Sequence, residues 1–163
     1  MKLSNCLMPI QSKVYVYSYS LKIKKTLVNL IFQSTMGKKL FVIYAQEELI
    51  LLINFISQAK KENIPYELVY LHDKEPLSEE WRDACRKKVN ECDGVVALIS
   101  KQLKISEGAF WEIKVSKEAN KPMICVFVGD AGIIVKPRDL SGVITMVLSW
   151  ERLNDFFHGK INE

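Results

Sequence analysis

A chain of 163 residues can hold one domain with a real core, and 48% hydrophobic against 26% charged residues is ordinary for a globular protein. The net charge of +4 misleads, because residues 1–35 carry Lys2, Lys13, Lys22, Lys24 and Lys25 and no acid; taking those five from 23 basic residues leaves 18 against 19 acidic ones. A near-neutral body carries no nucleic-acid footprint, and no apolar run approaches the roughly 20 residues that span a bilayer.

Residues 1–35 differ from the rest, with no Asp, Glu or Gly. Val14–Ser20 alternates like a strand. Met36-Gly37-Lys38-Lys39 then looks like a protein start. The expectation is an N-terminal extension over residues 1–35, upstream of a natural first residue at Met36, and one domain over 36–163. An extra edge strand or a membrane-surface tail are the rival readings.

From residue 39 the chain alternates. Leu40–Ala45 is fully apolar, as in a strand buried on both faces. Gln46–Asn63 reads as a helix with an apolar face of Leu49, Ile50, Ile53, Ile56 and Ala59. Tyr66–Leu71 is a half-polar strand suited to a sheet edge. His72–Leu77 is a polar connection. Ser78 can cap a helix to about Glu91 that carries Trp81, Ala84, Cys85 and Val89 on one face. Val95–Ser100 is a buried strand, and Lys101–Gly108 a loop. Ser106 is a plausible N-cap for a helix to about Asn120, beyond which Pro122 blocks extension. Met123–Val128 is a fourth strand, Gly129–Ser141 is irregular, Val143–Leu148 is a fifth strand, and Trp150–His158 is a closing helix. The cysteines at 6, 85, 92 and 125 lack metal-ligand spacing, and His72 and His158 are the only histidines. Reduced, structural cysteines in a cytosolic protein and no metal site are expected.

Strand–helix alternation with short connections favours a flavodoxin-like three-layer α/β sandwich. Its central parallel five-stranded sheet, in order 2-1-3-4-5, has helices on both faces. In such a sheet a ligand sits beyond the strand carboxyl ends where the order reverses, here between strands one and three. Tyr44, Ala45 and Gln46 end strand one, and Ser100 ends strand three. On a wheel of roughly 100° per residue Glu112 faces inward, near Ala109 and Ile113. An inward carboxylate is costly unless paired or facing a cleft. Glu112 therefore either works in that cleft, or satisfies the helix dipole or pairs with a lysine such as Lys101 or Lys104. Glycine-rich phosphate loops are absent.

Residues 39–160 resemble a TIR-like domain of the compact prokaryotic type found in Thoeris antiphage systems. The matching stretches are Leu40–Tyr44, Trp81–Ser100, Ile105-Ser106, Trp111-Glu112-Ile113 and Asn120–Val126. The resemblance implies NAD⁺ as substrate, with no separate cofactor. It implies Glu112 as the catalytic carboxylate in cleavage of the nicotinamide–ribose bond, making an ADP-ribose-type signal, linear or cyclic. The implied partners are NAD⁺, an effector of the same defence system and further copies of the chain. No nucleic acid or membrane is implied, and the implied location is cytoplasmic. The family's strand-one serine and the aspartate that follows are missing; Ile43-Tyr44-Ala45-Gln46-Glu47 stands instead. Tyr44, Ala45, Gln46 and Ser100 are candidate substrate contacts, against strand-end core or a solvated helix start for Tyr44 and Gln46 and a helix or loop cap for Ser100. Asp73 is a ribose or phosphate contact or a turn residue. Trp111 is a ligand-stacking ring or packing. Two other functions stay open: a non-catalytic TIR-like interaction module, and an enzyme like the nucleoside deoxyribosyltransferases.

Overall fold

The structure, a computed structural model, describes residues 37–129 and 136–160. The chain divides into Met1–Met36 and Gly37–Glu163. The expectations for residues 1–35 and for part of the irregular Gly129–Ser141 segment lie outside the described residues.

Five strands form one parallel sheet: β1 (Lys38–Ile43), β2 (Tyr66–Val69), β3 (Gly94–Ile99), β4 (Met123–Phe127) and β5 (Ile144–Val147). Their order is β2-β1-β3-β4-β5, the expected one, with the reversal between β1 and β3. Three helices connect the first four strands, α1 (Leu49–Lys61), α2 (Glu79–Glu91) and α3 (Glu107–Glu118), and α4 (Trp150–Phe157) follows β5. The fold is α/β and flavodoxin-like.

The period-2 alternation of side chains divides the core into two. Phe41, Ile43, Val95, Ala97, Ile99 and Cys125 pack on one side with α2 and α3, through Trp81, Cys85, Val89, Ala109 and Ile113. Leu40, Val42, Val96, Leu98, Ile124 and Val126 pack on the other with α1 and α4, through Leu52, Phe55 and Leu153. Every residue of β3 is buried, so its continuous apolar run belongs to the sheet centre. Each large side chain buried here contributes about 1.5–3 kcal/mol. Gly94 opens β3 because the Phe157 ring of α4 leaves no room for a Cβ there.

Ser78 caps α2, its Oγ accepting from the Trp81 N–H at 3.3 Å, and Glu79 and Glu80 favour the helix N-terminus. Three details differ from the sequence reading. A 3₁₀ turn over Gln46–Glu48 precedes α1, which buries Leu52, Phe55 and Ala59. Leu49, Ile50 and Ile53 are left 41%, 61% and 47% exposed. The run Leu49–Phe55 is apolar almost all round, so periodicity could not choose its face. The Phe55 ring, 5.0 Å from that of Trp150, shows which side packs. Ala84 is exposed, and α2 buries only Trp81, Cys85 and Val89. Ser106 does precede α3, but its side chain makes no capping bond.

Candidate functional site

Glu112 lies in the second turn of α3 and is 0% exposed. Its partner is a residue that sequence reasoning missed. Lys74 comes from the β2–α2 connection, with its side chain only 2% exposed. Its Nζ donates to Glu112 Oε2 at 2.6 Å and to the Tyr44 carbonyl at 2.5 Å. The same ammonium sits 4.1 Å from the centroid of the Tyr44 ring, a cation–π contact. A carboxylate, a carbonyl and an aromatic face thus surround one cation at the carboxyl end of β1.

The loop that delivers Lys74 is tied down. The Lys74 N–H donates to Gln46 Oε1 at 2.7 Å, and the Tyr44 hydroxyl donates to the Leu71 carbonyl at 3.0 Å. Asp73 holds φ at +45°, a left-handed conformation that Asp tolerates better than most residues. The Lys74 stem runs over Gly108 so closely that an added Cβ would stand 2.9 Å from Lys74 Cβ and Cδ. Gly108→Ala is therefore expected to cost about 1–3 kcal/mol, the price of overpacking, read as a lower denaturation midpoint.

Burial pushes the Glu112 carboxyl up to about 7, against the charge and hydrogen bond of Lys74, which pull it down. Desolvation outweighs a short ion pair, as is common for pairs taken wholly out of water. Burial also raises the Tyr44 phenol to about 12, with the negative charge of Glu112 adding to the shift. Tyr44 is thus a protonated donor at neutral pH. Cys85 is raised to about 12, first by burial and then by Glu112, so its thiol is not an activated nucleophile.

The strand-end candidates fall into place unevenly. Tyr44 and Gln46 join the Lys74–Glu112 cluster through the bonds above. Ala45 is buried at the end of the same strand. Ser100 is 4% exposed, and its Oγ has no hydrogen-bond partner among the described residues; neither does Glu112 Oε1. Asp73 is exposed and next to Lys74 in the chain. Trp111 lines a separate groove of about 500 Å³ with Pro76, Leu77, Phe110 and Lys114, and Tyr44, Lys74 and Glu112 do not line it. Arg82, Arg86 and Lys114 place their charges 4.5, 5.1 and 5.2 Å from the Trp111 ring. Any ligand stacking on that indole competes with the protein's own cations.

Lys101 and Lys104, the lysines considered for Glu112, are exposed. The reason is topological. Since β2 neighbours β1, the loop leaving β2 crosses the end of β1 and reaches Glu112 first. That signal was available: Lys74 is the one lysine between Ile64 and Cys85. Among the described residues no group of His, Cys, Asp and Glu could hold a metal, and no helix is long and apolar enough to cross a membrane.

A prokaryotic SEFIR domain of known crystal structure has the same fold, with a TM-score of 0.50 over 76% of this chain and 96% of that one, at 10% sequence identity. The likeness is one of fold, the α/β sandwich described above. No protein family and no curated protein matches its sequence.

Proposed function

We propose that this protein breaks the nicotinamide–ribose bond of NAD⁺, with Glu112 as the working carboxylate. The observation that carries this reading is a wholly buried carboxylate at the β1–β3 reversal of a TIR-like fold, one of its oxygens without a partner among the described residues. The bond from the ribose anomeric carbon to the pyridinium nitrogen breaks heterolytically. Nicotinamide leaves neutral with the electron pair, and the ribosyl carbon gains oxocarbenium character. An ionised Glu112 stabilises that charge in a site shielded from water, where electrostatic stabilisation is strongest. Water, losing a proton, then gives ADP-ribose; a ring nitrogen of the same molecule's adenine gives a cyclic isomer. In this reading the product is a signal for an effector of a Thoeris-type antiviral system in the cytoplasm.

A second reading, a non-catalytic TIR-like interaction module, is favoured by the exposed apolar side chains of Leu49, Ile50 and Ile53. The two are separated by incubating the full chain with NAD⁺ and, in parallel, with deoxynucleosides and free bases. Nicotinamide release is the expected result. Base exchange without nicotinamide release points instead to the deoxyribosyltransferase chemistry. Neither product, from folded protein with or without lysate of phage-infected cells, leaves the interaction module.

A further inference from the structure

We propose that the solvent face of α1 is a self-association surface, on which a second copy of this chain lays its own α1 antiparallel. The proposal holds whether or not the protein turns over NAD⁺.

The face lacks the composition of a solvated helix. α1 and α2 are each 13 residues long, yet α2 carries eight charged residues and α1 only two, Lys60 and Lys61 at its last positions. Leu49, Ile50 and Ile53 are exposed within one stretch of α1, whereas Leu77, Ile105 and Val147, the other exposed large hydrophobic residues among those described, stand on three separate segments. Single exposed apolar side chains are ordinary, but a contiguous group marks a contact surface. Asn54, Ser57 and Gln58 continue the face, exposed and uncharged. Glu, Lys and Gln form helices at least as well as Ile, so local structure does not require isoleucine at 50 and 53.

The charges that bracket the face select its partner. Glu47 precedes it and Lys60 closes it, and both are exposed. Glu48 takes no part, since its carboxylate accepts from the Gln102 N–H at 3.3 Å. When two α1 helices run antiparallel, each Glu47 meets Lys60 of the other copy. That register sets Ile50 over Ser57 and brings both Ile53 side chains beside the twofold axis. One patch thus complements itself, as a twofold contact requires, and the helix dipoles oppose favourably. A parallel pair would instead set Lys60 against Lys60. Leu52 and Phe55 fix α1 on the side of the sheet opposite α3, so the contact leaves the Glu112 side free. Two helices about 20 Å long bury less than a standard interface, which makes the dimer reversible on dilution.

Sedimentation of the full chain over a concentration series, at low ionic strength where exposed charges act most strongly, tests this. Wild type is expected to pass from monomer to dimer as concentration rises. Ile53→Glu is expected to weaken the dimer at least about tenfold, by carrying a charge into an apolar contact. Glu47→Lys and Lys60→Glu each bring like charges together, and each is expected to weaken it about tenfold. Mixed in equal amounts, those two variants restore both opposite-charge contacts, and their heterodimer is expected to regain the wild-type affinity. Only the antiparallel register gives that recovery. All three positions are exposed, so the variants keep the fold, which circular dichroism checks. A wild-type monomer at every concentration overturns the proposal. So does a dimer indifferent to Ile53→Glu, because its contact lies elsewhere, and so does a mixture that associates no more tightly than either variant alone.

Discussion

Glu112→Gln is expected to cut nicotinamide release by at least about 100-fold, the effect of removing one preorganised electrostatic partner of a transition state. Glutamine matches glutamate in shape, and its carbonyl can still accept the Lys74 hydrogen bond, so the fold is expected to survive. What disappears is the negative charge facing the developing ribosyl cation. Because burial raises the Glu112 carboxyl to about 7, the wild-type rate is expected to climb with pH through that value as the ionised form accumulates. The same shift governs stability, with a definite sign. The folded protein keeps this proton up to about pH 7, while the unfolded chain releases it near the ordinary value of 4.5. Between those values the folded state binds more protons, so this contribution is full below 4.5 and is lost as pH rises through 7. The loss is on the order of 3 kcal/mol. Denaturation of Glu112→Gln across that window is expected to lack this slope. An equal slope in both proteins would show that another group causes it.

Lys74→Met is expected to cost about 3–5 kcal/mol at pH 8, the effect of leaving one member of a buried ion pair alone. Methionine replaces the stem but returns nothing to Glu112 Oε2 or to the Tyr44 carbonyl. The penalty is expected to shrink at pH 5, where a protonated Glu112 no longer needs a cation. The double variant Lys74→Met with Glu112→Gln is expected to be more stable at pH 8 than Lys74→Met alone, since it removes the orphaned charge. These comparisons need only denaturation curves, and they probe the pair whether or not the protein turns over NAD⁺. A loss below about 1 kcal/mol would mean that the pair contributes no more than an exposed one.

The sheet was legible because its strands are short, largely apolar runs, the first four separated by helices, and because parallel strands need crossovers. The end residues of β1 and β3 and the inward turn of Glu112 followed from strand order and helical period. The face of α1 did not follow, since Leu49, Ile50, Leu51, Leu52 and Ile53 offer apolar surface in every direction. Only packing against Trp150 chooses Phe55 over Ile53. Lys74 was hidden for a different reason. It stands in a polar stretch, His72–Leu77, whose composition reads as solvated loop. Its burial is imposed from outside, by the Gly108 channel and by a carboxylate that local pattern cannot reveal as its partner. Trp111 shows the converse. Its place beside Glu112 in the chain suggested a ligand role, but successive residues on a helix point about 100° apart. The indole instead meets Arg82 and Arg86 of α2.

The most direct test is the NAD⁺ content of cells that carry the full chain, or Glu112→Gln at matched protein level, sampled through phage infection alongside any effector encoded with it. A fall in NAD⁺ with wild type that is absent with Glu112→Gln is the expected result. Unchanged NAD⁺ with both, or an equal fall with both, would contradict a catalytic role for Glu112.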